Sequence, residues 1–190
     1  MVMTLSHPTV TAHDFRHAFR AHPAGVAIVT ADAGDGPVAM TVSSVASVAI
    51  DPPTLMFSAS GISSSTPTIR KADTVVVHLL SADDVDLAKL CAQKGSQRFG
   101  DSVRWGRLPT GEPYYPDTTW LRGRIVESVD VAGSTIIIVE AIEAKPQLED
   151  DTAPEPTPLV YHNRSWHILN GRSAMPEPMP PFCIVYGRDD

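Results

Sequence analysis

The feature that most constrains this chain is a succession of short β-branched runs separated by turn residues. Gly25-Val26-Ala27-Ile28-Val29-Thr30, Leu55-Met56-Phe57-Ser58-Ala59 and Thr74 to Leu80 (TVVVHLL) each have the length and bounding residues of one strand. Ala33-Gly34-Asp35-Gly36-Pro37 is turn chemistry, with glycines to supply positive φ. The pattern predicts a further strand from Val38 to about Ile50, ended by Asp51-Pro52-Pro53, where neither proline can donate to a ladder. Trp120–Val131 and Thr135–Ala144 flank Ala132-Gly133-Ser134 and predict a long hairpin. Leu159–His162 and Ser165–Leu169 predict a short one.

Helices are fewer. Thr11-Ala12-His13-Asp14 resembles a capping box, and Phe15, Ala18 and Phe19 follow at helical spacing, so a helix is expected near 11–21. Thr66-Pro67 reads as a cap and first helical residue, opening a short helix through Ile69, Arg70 and Lys71. Ser81 is expected to cap a helix reaching Lys94, closed by Gly95. Ser96 to Asp117 reads as irregular, and 146–158 as an acidic, proline-rich loop. The expected organisation is one domain over 1–169 and a proline-rich tail over 170–190. Strands that outnumber helices and are joined by turns predict a mainly β protein, an antiparallel β-barrel with peripheral helices. A doubly wound dinucleotide fold would want a Gly-rich strand-to-helix turn, and neither G-x-G-x-x-G nor G-x-x-x-x-G-K occurs.

The net charge of −7, with no basic stretch, argues against nucleic acid as a partner but leaves room for one phosphorylated small molecule. No apolar run approaches the ~20 residues that span a bilayer. MVMTLSHPTV lacks the basic-then-apolar order of a signal peptide, so a cytoplasmic protein is expected. Cys91 and Cys183 are too few for a disulfide framework or zinc site, and Cys91 reads as a core residue. His13 and His17 have i, i+4 spacing but no HExxH pattern or nearby carboxylate, so no metal is expected. His78, in an apolar strand, reads as a satisfied buried histidine.

Two hydroxyl-rich segments carry the chemistry. Met40-Thr41-Val42-Ser43-Ser44-Val45-Ala46-Ser47 lies within an apolar run, where hydroxyls are costly unless paired. Either it is a solvated edge strand, or a planar polar ligand lies against it. Ser58-Ala59-Ser60-Gly61-Ile62-Ser63-Ser64-Ser65-Thr66-Pro67 runs into a helix start. It is either an ordinary Ser-rich loop or an anion site. One short strand separates the segments, so a ligand could place a ring at one and a phosphate at the other.

Both segments, with Ala24 to Thr30, Asp51-Pro52-Pro53, Arg98-Phe99 and Pro158-Leu159-Val160-Tyr161, resemble the short-chain NAD(P)H:flavin reductase family in order and spacing. The resemblance spans roughly Phe15 to Leu169. It implies an FMN-binding split barrel of Greek-key antiparallel strands and a homodimer. It also implies NADH- or NADPH-dependent reduction of FMN or FAD, with a flavin-dependent monooxygenase as a possible partner. By position, Met40, Thr41, Val42, Ser43 and Ser44 are implied near the flavin ring, with Ser58, Ala59 and Ser60 beside them. Ser64, Ser65 and Thr66 are implied near the phosphate, and Arg98 and Phe99 near the flavin by analogy alone. The plainer reading of that last pair is a surface Arg and a packing Phe. Relatives often carry Gly-Asp-His at the start of the last long strand. This chain has Gly133-Ser134-Thr135, with Thr135 in the His place and Glu140 in that of a later Gly. Thr135 is therefore implied on the nicotinamide side, or is an ordinary β-branched residue. A flavoprotein of this fold using another substrate or a deazaflavin, and a non-catalytic flavin-binding protein, are the alternatives.

Overall fold

The run from Val38 to Ile50 is not one strand but two: it breaks at Ser43-Ser44-Val45 into β3 (Val38–Val42) and β4 (Ala46–Ala49). The break organises the molecule. In the computed structural model, which describes residues 9–94, 97–145 and 156–174, β3 pairs with β2 (Ala27–Ala31) and β4 with β5 (Thr54–Ser60). Adding β6 (Thr74–Leu79), β9 (Thr119–Val131) and β10 (Ser134–Ala144) gives a seven-stranded antiparallel sheet ordered β3-β2-β6-β9-β10-β5-β4. The broken strand thus supplies both borders of the sheet. Four Cα steps from Val42 to Ala46 reach about 15 Å, whereas six interstrand gaps in a flat sheet would span about 29 Å. The sheet must curl, and its two borders meet at the serines. The break escapes a local reading because β-branched residues continue on both sides of it; only closure demands it.

The long hairpin forms as expected, with a tighter turn. Ala132 (φ 48°) and Gly133 (φ 84°) are its two central residues, and Ser134 already pairs with Val131. Two positive φ angles suit the right-handed twist of the flanking strands. A second such turn, Asn163 (φ 48°) and Arg164 (φ 65°), joins β11 (Leu159–His162) to β12 (Ser165–Ile168). β11 also pairs with β1 (Ala24–Gly25). Within the stretch expected to be irregular, β7 (Gly106–Arg107) and β8 (Pro113–Tyr114) form a small ladder.

Val29, Phe57, Ile69, Val75, Val77, Ile137 and Val139 fill the inside of the curl. A second cluster, including Ile28, Leu80, Cys91, Tyr115 and Leu159, lies where α3 (Val85–Ala92) covers the sheet. β2 sits between the two clusters, so all five of its residues are buried. α3 follows a 3₁₀ turn (Ala82–Asp84) that Ser81 caps reciprocally with Asp84, and it ends at Gln93, before the expected close at Gly95, which lies outside the described residues. α2 (Thr66–Lys71) begins one residue earlier than expected: Ser65 occupies the cap without a side-chain cap bond. Thr66 is already helical. α1 (Ala12–Arg20) has the expected capping box between Thr11 and Asp14, yet buries none of its residues.

Candidate functional site

Ser43 and Ser44 leave the ladder at the seam, and both are exposed. The Ser44 side chain is structural. Its Oγ accepts from the Ser58 amide at 2.9 Å and donates to the Ser58 carbonyl at 3.3 Å, stitching the seam to β5. Ser43 makes no side-chain hydrogen bond among the described residues. It lines two clefts at once, one of about 810 Å³ shared with Ser44, Val45, Phe19 and Tyr161, and a smaller one of about 190 Å³ shared with Thr41, Ala92 and Trp166. The hydroxyl of Thr41 is committed to the Ala88 carbonyl at 2.7 Å. The larger volume falls in the ~300–1,000 Å³ range of small-molecule sites.

The second hydroxyl segment divides sharply. Ser65 and Thr66 are buried, at 1% and 4% exposure. Ser65 donates to the Ala39 carbonyl at 2.8 Å, and Thr66 donates to the Ser60 carbonyl at 2.6 Å. Their protons are spent inside the protein. Ser64 is exposed and has no such partner among the described residues. Met40, Val42 and Ala59 belong to the core cluster, so only their backbones can face a ligand. Arg98 is drawn inward: its Nη1 donates to the Ala39 carbonyl at 2.6 Å and to Ser65 Oγ at 2.8 Å, tying the start of α2 to β3. Phe99 lies parallel to Tyr115 at 5.7 Å between ring centroids, with Trp105 against its edge.

Thr135 is buried, on the same inward face as Ile137 and Val139. Its hydroxyl donates to Asp130 Oδ1 at 2.7 Å, and Asp130 also accepts from Arg70 at 3.0 Å. This chain of bonds borders a separate cleft of about 670 Å³ between α2 and the β9–β10 turn, which shares no lining residue with the Ser43 cleft. Of the implied site residues, Ser43 and Ser44 line the large seam cleft, Thr41, Val42 and Ser43 the small one beside it, and Thr66 and Thr135 the separate cleft at the β9–β10 turn.

One wall of the first cleft was not foreseen from the sequence. Phe15, Arg16, Phe19 and Arg20 of α1 and Tyr161 to Arg164 of the last hairpin complete it. The signal was present in the i, i+4 spacing of Phe15 and Phe19, but nothing local tells which body the stripe faces.

Buried titratable groups lie off both clefts. His78 is fully buried, and burial pushes its imidazole down to about 3, so the ring is neutral. Thr118 donates its proton to the Tyr115 carbonyl, so its oxygen accepts from His78 Nδ1 at 2.8 Å. Glu112 is also buried; burial opposes its charge, but bonds from Thr110, Thr74 and Arg122 prevail and hold it at about 2. Among the described residues no His, Cys, Asp and Glu cluster could hold a metal, and no helix is long and apolar enough to cross a membrane.

The family model described as the flavin reductase like domain matches residues 19–170. An NADH:FMN oxidoreductase of Rhodococcus qingshengii is 36% identical over 159 residues, covering 83% of this chain and 82% of that protein. FMN reductase (NADH) SmoA of Agrobacterium fabrum is 35% identical over 70% of this chain and 76% of its own. The crystal structure of a flavin reductase domain protein from Arthrobacter sp. FB24 superposes with a TM-score of 0.74 at 30% identity, covering 90% of this chain and 98% of that one. With the curled antiparallel sheet and the seam cleft, these similarities make the chain a member of the flavin reductase-like family.

Proposed function

We propose that the chain is an NAD(P)H:flavin reductase that takes FMN or FAD at the seam of the barrel. The observation that carries this reading is Ser43: an exposed hydroxyl, unpartnered among the described residues, where two clefts meet on the segment that joins both borders of the sheet. The residues fit a flavin. Backbone groups freed from the ladder at Ser43-Ser44-Val45 and the Ser43 hydroxyl suit the heteroatoms of a planar ring, and Val45 and Tyr161 suit its faces. Ser64, an exposed hydroxyl without a side-chain partner among the described residues, is free to donate to the phosphate, with Ser58, Ala59 and Ser60 between. Ser65, Thr66 and Arg98 hold that segment in place through the bonds to Ala39 and Ser60.

Flavin supplies the hydride acceptor: one hydride and one proton convert NAD(P)H and oxidised flavin to NAD(P)⁺ and reduced flavin. The protein's part is alignment and exclusion of water. No protein acid or base is required for hydride transfer itself, so the Thr135 departure is compatible with turnover. The reading extends to a homodimer, supported by apolar side chains left exposed at Val48, Ile50, Val129 and Val131. It extends also to release of reduced flavin to a monooxygenase, supported by the open seam.

Fluorescence titration with FMN and FAD, followed by stopped-flow oxidation of NADH and NADPH, tests the proposal. Flavin-dependent loss of nicotinamide absorbance is expected. Absence of flavin binding at high micromolar concentration overturns the reading, and binding without nicotinamide oxidation reduces it to a flavin carrier. Sedimentation velocity tests the dimer.

A further inference from the structure

We infer that the α1 side of the seam cleft is a subsite for an adenosine diphosphate group, the moiety that FAD and NAD(P)H share. The inference rests on the flavin reading only for what occupies the Ser43 end.

Charge is the first argument. The chain carries a net charge of −7, yet no carboxylate lines this cleft, while Arg16, Arg20 and Arg164 all do. Elsewhere arginines are spoken for: Arg70 with Asp130, Arg104 with Asp117, Arg107 with Asp32, Arg122 with Glu112 and Arg124 with Glu140. Arg16, Arg20 and Arg164 have no side-chain hydrogen bond or ion pair among the described residues; Arg172, off the cleft, is the other such case. Three uncompensated guanidiniums around one concavity suit a diphosphate, which guanidinium forks bind in pairs.

Backbone geometry is the second, independent argument. Arg164 sits at φ 65° in the two-residue turn of β11–β12, a place that favours glycine. The turn is docked, since the Asn163 amide donates to the Arg20 carbonyl at 3.1 Å, so Arg20 and Arg164 are held together. An arginine at a strained turn position, with no partner of its own among the described residues, is placed for something outside the fold.

The helix that carries Arg16 and Arg20 also brings apolar surface to the cleft. Phe15 and Phe19, 56% and 59% exposed, lie 4.5 Å apart between ring centroids and present carbon to the cleft where an adenine needs a stacking surface. Phe15 and Arg16 precede the residues that the family model matches, whereas Phe19, Arg20 and Arg164 lie within them.

The test is isothermal titration of the full-length chain with ADP, AMP and adenosine, alone and with saturating FMN. ADP should bind tightest and adenosine weakest. Arg20→Ala and Arg164→Gly should each weaken ADP at least fivefold, about 1 kcal/mol, with FMN affinity unchanged. Arg164→Gly should also raise the melting temperature, which a merely structural Arg164 would not combine with lost ADP binding. If the nicotinamide donor is the source, the variants raise KM for NADH but not for reduced nicotinamide mononucleotide. If FAD is the source, its affinity falls toward that of FMN. ADP bound no better than adenosine, or equally well by both variants, overturns the proposal. So does a change confined to sedimentation, which would make this face a contact between copies. Failure of FMN to bind would instead strike the flavin reading, since the ADP titration stands without it.

Discussion

Adjacent serines at 64 and 65 sit in opposite surroundings, one exposed and one buried and bonded, and that contrast sets what the sequence could tell. The hydroxyl cluster was legible as a feature, but which hydroxyl faces out depends on the distant partners Ala39, Ser60 and Arg98. Ser65→Ala leaves the Ala39 carbonyl with one donor fewer and Arg98 with one acceptor fewer. It should cost about 1–3 kcal/mol of stability, read as a lower urea midpoint, while FMN affinity changes little. Ser64→Ala should do the reverse, weakening FMN several-fold and sparing riboflavin, which lacks the phosphate. Equal losses for FMN and riboflavin would move the phosphate elsewhere. Thr135 illustrates the same limit: the position was readable, but its bond to Asp130 was not.

At the level of elements, strands were legible because β-branched runs bounded by turn residues announce themselves locally. The short β7–β8 ladder was not legible, and the break at Ser43 is imposed by closure, its local mark being the two serines in an apolar run. The β9–β10 hairpin adds constraints visible only in three dimensions. A Cβ on Gly123 would lie 2.3 Å from a Val139 methyl and 2.8 Å from the Glu140 carbonyl oxygen, and the latter is backbone. Gly123→Ala should therefore lower stability by about 1–3 kcal/mol as an overpacked site. Gly133 has open space around it but φ 84°, so Gly133→Ala strains the turn alone, for about 1–2 kcal/mol. Urea midpoints of both variants check this, and a normal midpoint for Gly123→Ala would refute the close approach.

For the molecule as a whole, acid should be the more damaging direction of pH. His78 is held near 3 when folded against 6.5 in an unfolded chain. Between those values the unfolded state holds one more proton. Stability that is complete above about 6.5 falls as pH drops, by up to about 1.4 kcal/mol per pH unit. Glu112, lowered from 4.5 to about 2, adds a second loss below about 4.5. Urea midpoints at pH 8, 6 and 5 should decline, and His78→Gln should flatten that decline. A wild-type midpoint constant from pH 8 to 5 would contradict the buried neutral ring. The three-residue link between β3 and β4 bears on how the molecule comes apart. Its borders are the two ends of the hydrogen-bonded ladder, so the cylinder can gape there without breaking a rung. A guest seated across that gap acts as a rivet, and amide exchange along both flanking strands should slow first when the rivet is in.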